Sequence, residues 1–319
     1  MGLSRARVGV AIVTYNSAGV LPVCLASLRE QGPAVALDTV VVDNGSRDGT
    51  PALVRERFPA VRLIEAPRNG GFSYGTNLAL RALGLLDAAP AEQPLPLDYV
   101  LFLNPDTALP AEALPPLVAL LERRPELGAV SPLLVRADGS PDWACHRGFP
   151  SAWNALCHVL GLDRCWPRRR LFGGYNLAYL PLDRATVVDC VAGAFMLVRA
   201  EAVQRVGPWD EEYFAYGEDI DYCLRLRRAG WRVWYEPSVR VLHLKGAASQ
   251  QRSLPMLREF YRAMLVYYRK HHAPGDPLPL RLAVSWGIRA LYAGELLRQR
   301  ARPAGRRWVG AARPVGPAK

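Results

Sequence analysis

The sequence has few of the features that would anchor a protein in a membrane or cross-link it. Its six cysteines are scattered over 319 residues and form no CxxC pair, so a zinc site is not indicated and a reduced setting is favoured. No apolar run reaches the roughly 18 residues of a membrane-spanning helix. Polar residues interrupt the apolar positions of residues 1–13, which favours a first strand over a signal peptide. We therefore expect a cytoplasmic, globular protein.

Signatures of two large functional classes are also missing. No GxGxxG follows the first predicted strand, which argues against a dinucleotide-dependent dehydrogenase. The net charge is +11, yet there is no helix-turn-helix, zinc-finger or RNA-binding signature, so we expect no nucleic-acid partner. Acids are scarce near the end, where residues 281–319 hold nine Lys and Arg against the single acid Glu295. A segment of this charge favours an anionic surface.

The first 110 residues contain a regular alternation of predicted strands and helices. The predicted strands are 7–14, 37–43, 61–65 and 98–103, and the predicted helices are 21–31, 49–58 and 72–86. This β-α-β order predicts an α/β fold with a mostly parallel, Rossmann-like sheet flanked by helices.

The pattern changes after residue 110. Here we predict helices at 110–123 and 219–229 and strands at 130–135, 231–237 and 239–242. Residues 138–185 are rich in Gly, Pro, Trp and Arg, and we expect either a long ordered loop or a mobile segment that faces the acceptor. Residues 187–199 are strongly apolar. From residue 253 onward the chain is predicted to be helical, with a break at 273–277.

Polar residues follow the first two predicted strands. Thr14 and Asn16 come after the first strand and Asp43 after the second, where parallel sheets place their ligand crevice. A carboxylate there can accept hydrogen bonds from a ribose or a base. Asp-Asn and Asn-Gly are also ordinary turn formers, so each motif alone is equally consistent with a tight turn. Their occurrence at consecutive strand ends favours a binding role.

A third turn, Asn69-Gly70-Gly71-Phe72, precedes the predicted helix that carries Asn77. Glycine lets the backbone approach a ligand closely, although a tight turn alone also explains the pattern.

The motif Asn104-Pro105-Asp106 ends a buried apolar run. A carboxylate in this position lies at the rim of the sheet, where Asp106 can bind a hard divalent cation on a diphosphate. His243 follows a later predicted strand and could join it as a ligand. The alternatives are an Asx turn at Asn104 and a structural histidine.

A second acidic motif, Glu218-Asp219-Ile220-Asp221, opens the helix predicted at 219–229. Asp221 and Arg225 are four residues apart, which is typical of a structural salt bridge. Glu218 and Asp219 lie near an aromatic run that begins at Trp209. Carboxylates crowded beside apolar rings have a raised pKa, which suits a general base, and such a base accelerates a reaction by roughly 10²–10⁴-fold.

Taken in order, these motifs resemble those of bacterial family 2 glycosyltransferases with the GT-A fold, especially the rhamnosyltransferases of O-antigen and cell-wall polysaccharide synthesis. The matching stretches are residues 10–16, 42–50, 69–72 with Asn77, 103–106, 189–196, 209–225 and 241–243. The resemblance implies a GT-A domain over residues 1–252 and a helical basic C-terminal extension over 253–319. Within that domain, a nucleotide-binding half would span about 7–110 and an acceptor half about 111–252.

The resemblance also implies an inverting transfer of a sugar from a nucleotide to an acceptor hydroxyl. Asp219 would be the catalytic base, with Glu218 beside it. Asp106 would hold Mg²⁺ or Mn²⁺, with His243 as a second ligand. The residues implied to bind the nucleotide sugar are Thr14, Asn16, Asp43, Asn69, Gly71, Asn77 and Asn104. Those implied on the acceptor side are Gly193, Ala194, Trp209 and Asp221.

Several alternatives stay open. Asn104 stands where the family often has Asp, which leaves the number of metal ligands undecided. The branch indicates dTDP-L-rhamnose as the donor, but UDP-galactofuranose or a UDP-hexose would use the same chemistry. A nucleotidyltransferase is disfavoured because no Gly-rich basic loop follows the first strand, and an inactive binding module is disfavoured by Asp106 and Asp219.

The acceptor implied by the resemblance is a saccharide or a polyprenyl-diphosphate-linked sugar. Residues 280–297 can form a basic amphipathic helix, with Arg281, Ser285 and Arg289 on one side. Such a helix either lies in a membrane interface or packs on the catalytic domain with a solvated basic face. Peripheral attachment to the inner face of the cytoplasmic membrane is therefore one expectation.

Overall fold

The structure, a computed structural model, describes residues 5–86, 95–244 and 254–301. The described strands are β1 (Ala6–Thr14), β2 (Val35–Asp43), β3 (Arg62–Glu65), β4 (Tyr99–Leu103), β5 (Thr107–Ala108), β6 (Leu127–Val135), β7 (Thr186–Val188), β8 (Phe195–Arg199) and β9 (Arg232–His243). The described helices are α1 (Leu21–Leu28), α2 (Thr50–Arg57), α3 (Phe72–Ala82), α4 (Leu114–Arg123), α5 (Ala152–Val159), α6 (Leu162–Cys165), α7 (Ala200–Val206), α8 (Glu218–Arg228), α9 (Leu254–His271) and α10 (Leu278–Ala301).

These strands form one sheet in the order β3-β2-β1-β4-β8-β6-β9-β5, with β7 also paired to β9. The strands β3, β2, β1 and β4 are parallel, as predicted for the first 110 residues. Beyond β4 the sheet is mixed, because β8 runs antiparallel to both β4 and β6, whereas β6 and β9 are parallel. The predicted α/β class is confirmed.

The central strands are buried on both faces, and this determines where polar groups can emerge. All five residues of β4 are buried, and in β1 only Arg7 is exposed. Strands covered on both faces are apolar without alternation, and each buried Val, Leu or Phe side chain contributes about 1.5–3 kcal/mol to stability. Polar side chains are therefore confined to the strand ends, where the predicted motifs lie.

Three predicted helix boundaries were wrong by a few residues. Helix α1 ends at Leu28, and the Gln31 side-chain amide donates to the Ser27 carbonyl at 2.9 Å. Helix α3 ends at Ala82, because Gly84 takes a left-handed φ of 73°. Helix α4 begins at Leu114 and not at residue 110, with prolines in its first turn, where a missing N–H costs nothing.

The strands predicted at 231–237 and 239–242 are a single strand, β9. Its pairing with β6 shifts register, since Pro132 pairs with Glu236 whereas Leu133 pairs with Arg240. Pro237 lies within this shift and has no N–H to donate. The ladder is therefore interrupted there without ending the strand.

The segment 138–185, predicted as a loop, contains the two short helices α5 and α6. An isolated bridge joins Arg147 to Cys190, with backbone hydrogen bonds of 3.1 and 3.0 Å in the two directions. The apolar segment 187–199 divides into β7 and β8, and the bridge fixes residue 147 against the connection between them. The N-terminal part of the segment 138–185 is thereby held at the sheet.

Residues 254–301 of the predicted C-terminal extension are mostly helical as expected, with α9 and α10 packed against each other, and residues 302–319 lie outside the described residues. The rings of Tyr261 and Tyr292 lie 5.6 Å apart between the two helices, and a short 3₁₀ turn, Ala273–Gly275, falls within the predicted break. Among the described residues, no helix combines the length and apolar character needed to cross a membrane.

Candidate active site

The ends of β1, β2 and β4 place three of the motifs side by side. Thr14 pairs with Asp43 across β1 and β2, and Ile12 pairs with Leu103 across β1 and β4. Because parallel strands end at the same edge, the residues that follow them share one rim of the sheet. This rim is where open α/β sheets bind their ligands.

Thr14, Asn16 and Asp43 belong to one hydrogen-bonded group on this rim. Asp43 Oδ1 accepts from the Thr14 hydroxyl at 3.1 Å, and Asp43 Oδ2 accepts from the Ser46 N–H at 2.8 Å. Asn16 has a left-handed φ of 52°, and its Oδ1 accepts from the Arg47 N–H at 2.8 Å. Since Asp43 is only 2% exposed, its carboxylate shapes the loop in which it lies.

The turn at residues 69–72 is packed against the segment that leads into α8. Gly71 has a φ of 88°, and a Cβ there would lie 2.2 Å from the Phe214 carbonyl oxygen, so only glycine fits. Asn69 Oδ1 accepts from the Gly71 N–H at 3.1 Å, and the Asn44 amide donates to the Gly71 carbonyl at 2.9 Å. The turn thus joins the rim of the parallel strands to the segment that leads into α8.

Asn77 and Trp209 hold α3 to that same segment. The Asn77 amide donates to the Trp209 carbonyl at 2.8 Å and to Glu211 Oε1 at 2.9 Å, and it accepts from the Trp209 N–H at 2.8 Å. The buried Trp209 ring stacks on Tyr222 with centroids 4.6 Å apart. Both side chains are used in packing, and their contacts with substrate stay predictions.

Asp106 and His243 face each other at the end of β9. Thr107 pairs with His243 in the antiparallel ladder of β5 and β9, which sets Asp106 beside the imidazole. His243 Nε2 lies 3.4 Å from Asp106 Oδ1, and Nδ1 lies 3.1 Å from Asp142 Oδ2. Burial lowers the pKa of His243, but its hydrogen bonds with the two carboxylates outweigh this and raise the pKa to about 9.

This donor set fits a divalent cation that also binds a diphosphate. Hard cations take carboxylate oxygens, and a metal-bound imidazole commonly has its other nitrogen on a carboxylate, the position that Asp142 occupies. In residues 5–86, 95–244 and 254–301, no group of three or more His, Cys, Asp or Glu side chains could hold a metal by itself. Two protein ligands suffice where phosphate oxygens and water complete the shell.

The backbone before β8 connects the two acidic motifs. The Asn104 N–H donates to the Ala194 carbonyl at 3.0 Å, and the Gly193 N–H donates to Asp219 Oδ2 at 3.3 Å. A Cβ at Gly193 would lie 3.6 Å from Asp219 Cβ and fill the space beside the carboxylate. Gly193 and Ala194 thus link the Asn104 backbone to the Asp219 side chain through these two hydrogen bonds.

Asp219 is held by an arginine from a distant part of the chain. Arg147 Nη2 donates to Asp219 Oδ2 at 2.7 Å, and both side chains are only 14% exposed. The Ile220 N–H donates to the other oxygen, Oδ1, at 2.8 Å. Burial lowers the pKa of Arg147, but the charge of Asp219 outweighs it and the pKa lies well above its usual value.

Glu218, next to Asp219, lies in surroundings that disfavour its charged form. Its Oε2 atom is buried and has no hydrogen-bond partner among the described residues. Burial, and then the negative charge of Asp219, raise the pKa of Glu218 to about 8. At neutral pH Glu218 therefore mostly carries a proton. A raised pKa in this motif was expected from the sequence for the catalytic base, but it falls on Glu218, and the role of Asp219 as the base stays a prediction.

Asp221 belongs to a buried ion-pair network that ties α8 to α9. It is 1% exposed, accepts from Arg225 Nε at 2.8 Å and lies 2.6 Å from His271 Nε2. Burial raises the pKa of Asp221, but its partners His271 and Arg225 outweigh this and lower the pKa below its usual value. The predicted Asp221–Arg225 salt bridge is confirmed, whereas the acceptor-side role of Asp221 stays a prediction.

Two residues of the site, Arg147 and Asp142, carried no signal in the sequence. Both lie in the segment 138–185, for which only a loop was predicted. Arg147 is 72 residues from Asp219, and Asp142 is 101 residues from His243. The crowding of acids at 218–221 indicates that a cation is needed nearby, but the sequence does not show which of the many arginines supplies it.

The sequence is similar to those of known glycosyltransferases. The family described as "Glycosyltransferase like family 2" matches residues 6–262. The chain is 33% identical over 285 residues to N-acetylglucosaminyl-diphospho-decaprenol L-rhamnosyltransferase of Mycobacterium tuberculosis, covering 89% of this chain and 90% of that protein. It is 32% identical over 176 residues to rhamnosyltransferase WbbL of Escherichia coli K12, covering 54% of this chain and 60% of that protein.

Solved structures share the fold. Mannosyltransferase PcManGT from Pyrobaculum calidifontis, in complex with GDP-Man and Mn²⁺, has a TM-score of 0.54 and 20% identity, covering 94% of this chain and 77% of that one. GalNAc-T7 with UDP, GalNAc and Mn²⁺ has a TM-score of 0.53 and 15% identity, with coverages of 90% and 54%. The expected GT-A fold is thereby confirmed. The chain therefore belongs to glycosyltransferase family 2 and is a glycosyltransferase.

Proposed function

We propose that the protein is a metal-dependent inverting glycosyltransferase that moves L-rhamnose from dTDP-L-rhamnose to a lipid-linked saccharide in cell-surface polysaccharide synthesis. The observation that carries this proposal is that the two acidic motifs lie next to each other at one rim of the sheet. The Asp106–His243 pair lies on one side, and Asp219, paired with Arg147, lies on the other. Hydrogen bonds through Gly193 and Ala194 connect them. The sugar and the acceptor are inferred from the mycobacterial relative, which is named for L-rhamnosyl transfer to N-acetylglucosaminyl-diphospho-decaprenol.

In this proposal the nucleotide-binding half, about residues 7–110, binds the donor. The group formed by Thr14, Asn16 and Asp43 contacts the nucleoside, and the turn at Asn69 and Gly71 with the Asn104 side chain lies near the sugar and phosphates. A bound Mg²⁺ or Mn²⁺ supplies positive charge for the leaving diphosphate. Asp106 and His243 are the residues that would hold it.

Asp219 accepts the proton of the acceptor hydroxyl while that oxygen attacks the anomeric carbon opposite the diphosphate, which inverts its configuration. Arg147 and the N–H groups of Gly193 and Ile220 occupy three of the roughly four lone-pair positions of the carboxylate. One position on Oδ1 is left for the acceptor. Because Arg147 acts through Asp219, it is a positioning residue.

Glu218 complements this arrangement as a neutral acid. With a pKa of about 8 it donates a hydrogen bond at neutral pH and adds no second negative charge beside Asp219. A hydroxyl of the acceptor is a suitable partner for the buried Oε2 atom, which has no hydrogen-bond partner in the described part of the chain.

The acceptor half, about residues 111–252, then binds the sugar of the lipid-linked acceptor, and α9 lies beside the catalytic motif, where His271 contacts Asp221. Because such an acceptor is embedded in a bilayer, the enzyme must meet it at the surface. We place the protein peripherally on the inner face of the cytoplasmic membrane.

Calorimetric titration with dTDP and UDP, with and without Mg²⁺, tests the proposal. Metal-dependent preference for dTDP is expected, followed by rhamnose transfer to N-acetylglucosaminyl-diphosphate lipid. Preference for UDP would leave the proposed reaction unchanged but would indicate that the donor is a UDP-sugar. Binding of neither nucleotide would contradict the proposal.

A further inference from the structure

A pocket that the proposed chemistry does not use lies between α9 and α10. Its volume is about 470 Å³, within the range of ligand sites. Four arginines line it, two from each helix, together with one glutamate and one serine that matter for its chemistry: Arg262, Arg269, Arg281, Arg289, Glu212 and Ser285. We refer to it as the arginine pocket.

The positive charge of the arginine pocket is only partly balanced. Arg269 pairs with Glu212, and Arg262 pairs with Glu259 at 3.1 Å. Arg281 donates to backbone carbonyls instead, the nearer one at 2.7 Å, and Arg289 lies over the Trp286 ring at 5.8 Å. In the described part of the chain neither of these two arginines has a carboxylate partner. Two guanidinium groups are therefore available to an anion, and guanidinium suits phosphate in particular.

An apolar face of α10 borders the arginine pocket. Leu278, Leu282 and Trp286 follow one another at four-residue spacing, so they share one side of the helix. Leu282 is 53% exposed and Trp286 66% exposed, and Leu297 continues the same side further along. Arg289 lies between this face and the pocket, because its guanidinium contacts both. Tyr292 of α10 packs on Tyr261 of α9.

An apolar helix face that carries an exposed Trp and is edged by arginines matches the interface of an anionic bilayer. The apolar side chains enter the acyl boundary, and the arginines stay at the level of the lipid phosphates. Self-association through this face would bring two basic surfaces together, since residues 281–319 alone carry a net charge of +8. Charge complementarity therefore selects an anionic lipid surface over a second copy of this chain.

We propose that the arginine pocket binds the phosphate of an anionic phospholipid headgroup while the apolar face of α10 lies in the bilayer interface. This second proposal rests on the proposed function and deepens it, because it names the membrane surface at which the enzyme is positioned. The pocket is fixed relative to the catalytic motif by α9. Lys270 pairs with Asp210, Arg269 pairs with Glu212, and His271 contacts Asp221, two residues after Asp219. Docking would therefore hold the acceptor side of the site at the surface where a lipid-linked sugar is found.

The test is co-sedimentation of the full chain with vesicles of phosphatidylcholine alone or mixed with phosphatidylglycerol. We expect binding to the mixed vesicles that weakens with salt. The double variant Arg281→Glu with Arg289→Glu should bind the mixed vesicles at least about 30-fold more weakly, at roughly 1 kcal/mol per removed charge. The matched control is Arg57→Glu with Arg123→Glu, the same charge change at exposed positions of α2 and α4. It should bind like the unchanged protein.

Equal loss in both double variants would show that net charge alone drives binding and would overturn the proposal, as would undiminished binding of the pocket variant. Trp286→Ser, which leaves the charges intact, should weaken binding at high salt, where the apolar contribution dominates. Thermal unfolding of each variant shows that it is folded.

Vesicle binding requires no catalysis, so its outcome stands even if no sugar transfer is found. If the proposed function holds, the pocket variant should transfer sugar normally to a short soluble acceptor and poorly to one embedded in vesicles.

Discussion

In the candidate site, Asp43 on the proposed nucleotide side and Asp219 on the proposed acceptor side differ in where their hydrogen-bond partners come from. On the nucleotide side, Asp43 is bonded by Ser46, three residues away, and by Thr14, its partner across the β1–β2 ladder. On the acceptor side, Asp219 is paired with a residue 72 positions away, and Asp221 contacts one 50 positions away. Strand register sets the first group, whereas packing of a loop and of C-terminal helices sets the second.

This difference has a functional consequence. The Thr14–Asp43–Ser46 group keeps its geometry as long as the sheet is intact, so changes there should act on donor binding. Asp219 and Asp221 depend in addition on long-range contacts with Arg147 and His271, so changes there should act on turnover while donor binding persists. Four substitutions test this contrast, in order of decreasing effect.

The largest effect is expected for Asp219→Asn. The amide cannot take the acceptor proton, so kcat should fall by about 10²–10⁴-fold while dTDP affinity, measured by calorimetry, stays the same. Asp221→Asn is the matched control, because it removes a neighbouring carboxylate that is buried with Arg225 and His271. It should lower the thermal midpoint more than Asp219→Asn does. Unchanged turnover in Asp219→Asn would remove Asp219 as the base.

Asp106→Ala should abolish most of the metal dependence of nucleotide binding. Asp142→Asn changes the partner of His243 Nδ1 but leaves Asp106 in place, so it should weaken metal-dependent affinity less, by roughly 10–100-fold. Titration with dTDP in Mg²⁺ and in a chelator measures both effects, and the affinities in chelator should be alike for all three proteins. If Asp106→Ala keeps its full response to metal, Asp106 is not a ligand.

Arg147→Ala should lower kcat by roughly 10–100-fold, the range for residues that orient a reacting group, with the donor KM unchanged. Arg147→Lys should restore part of the rate, since Lys keeps the charge but not the planar fork. Arg168→Ala, an exposed arginine of the same segment, is the control. A fall in thermal stability with kcat unchanged would make Arg147 purely structural.

The same contrast explains how much could be predicted from the sequence. The parallel half of the sheet and the grouping of Thr14, Asp43 and Asp106 on its rim follow from apolar runs and from the residues that end them, which are local properties. Arg147 could not be predicted, because its position depends on a two-residue bridge to Cys190. The single strand β9 was predicted as two strands, because Pro237 interrupts the pattern without ending the ladder.

The smallest effect is expected for Glu218→Gln, measured as the thermal midpoint against pH. The pKa of Glu218 is about 8 in the folded protein and its ordinary value is 4.5, so the folded state favours the protonated form. The associated stability is fully present below pH 4.5 and is lost as the pH rises towards 8. Glutamine cannot ionise, so the variant should lose less stability over that pH window and should have a higher thermal midpoint than the unchanged protein above it.

The control is Glu201→Gln, which replaces an exposed acid in the first turn of α7 and should leave the pH dependence of the thermal midpoint as it is. If the midpoints of Glu218→Gln and the unchanged protein fall in parallel, Glu218 is ionised at neutral pH, and its role as a hydrogen-bond donor to the acceptor is lost with it.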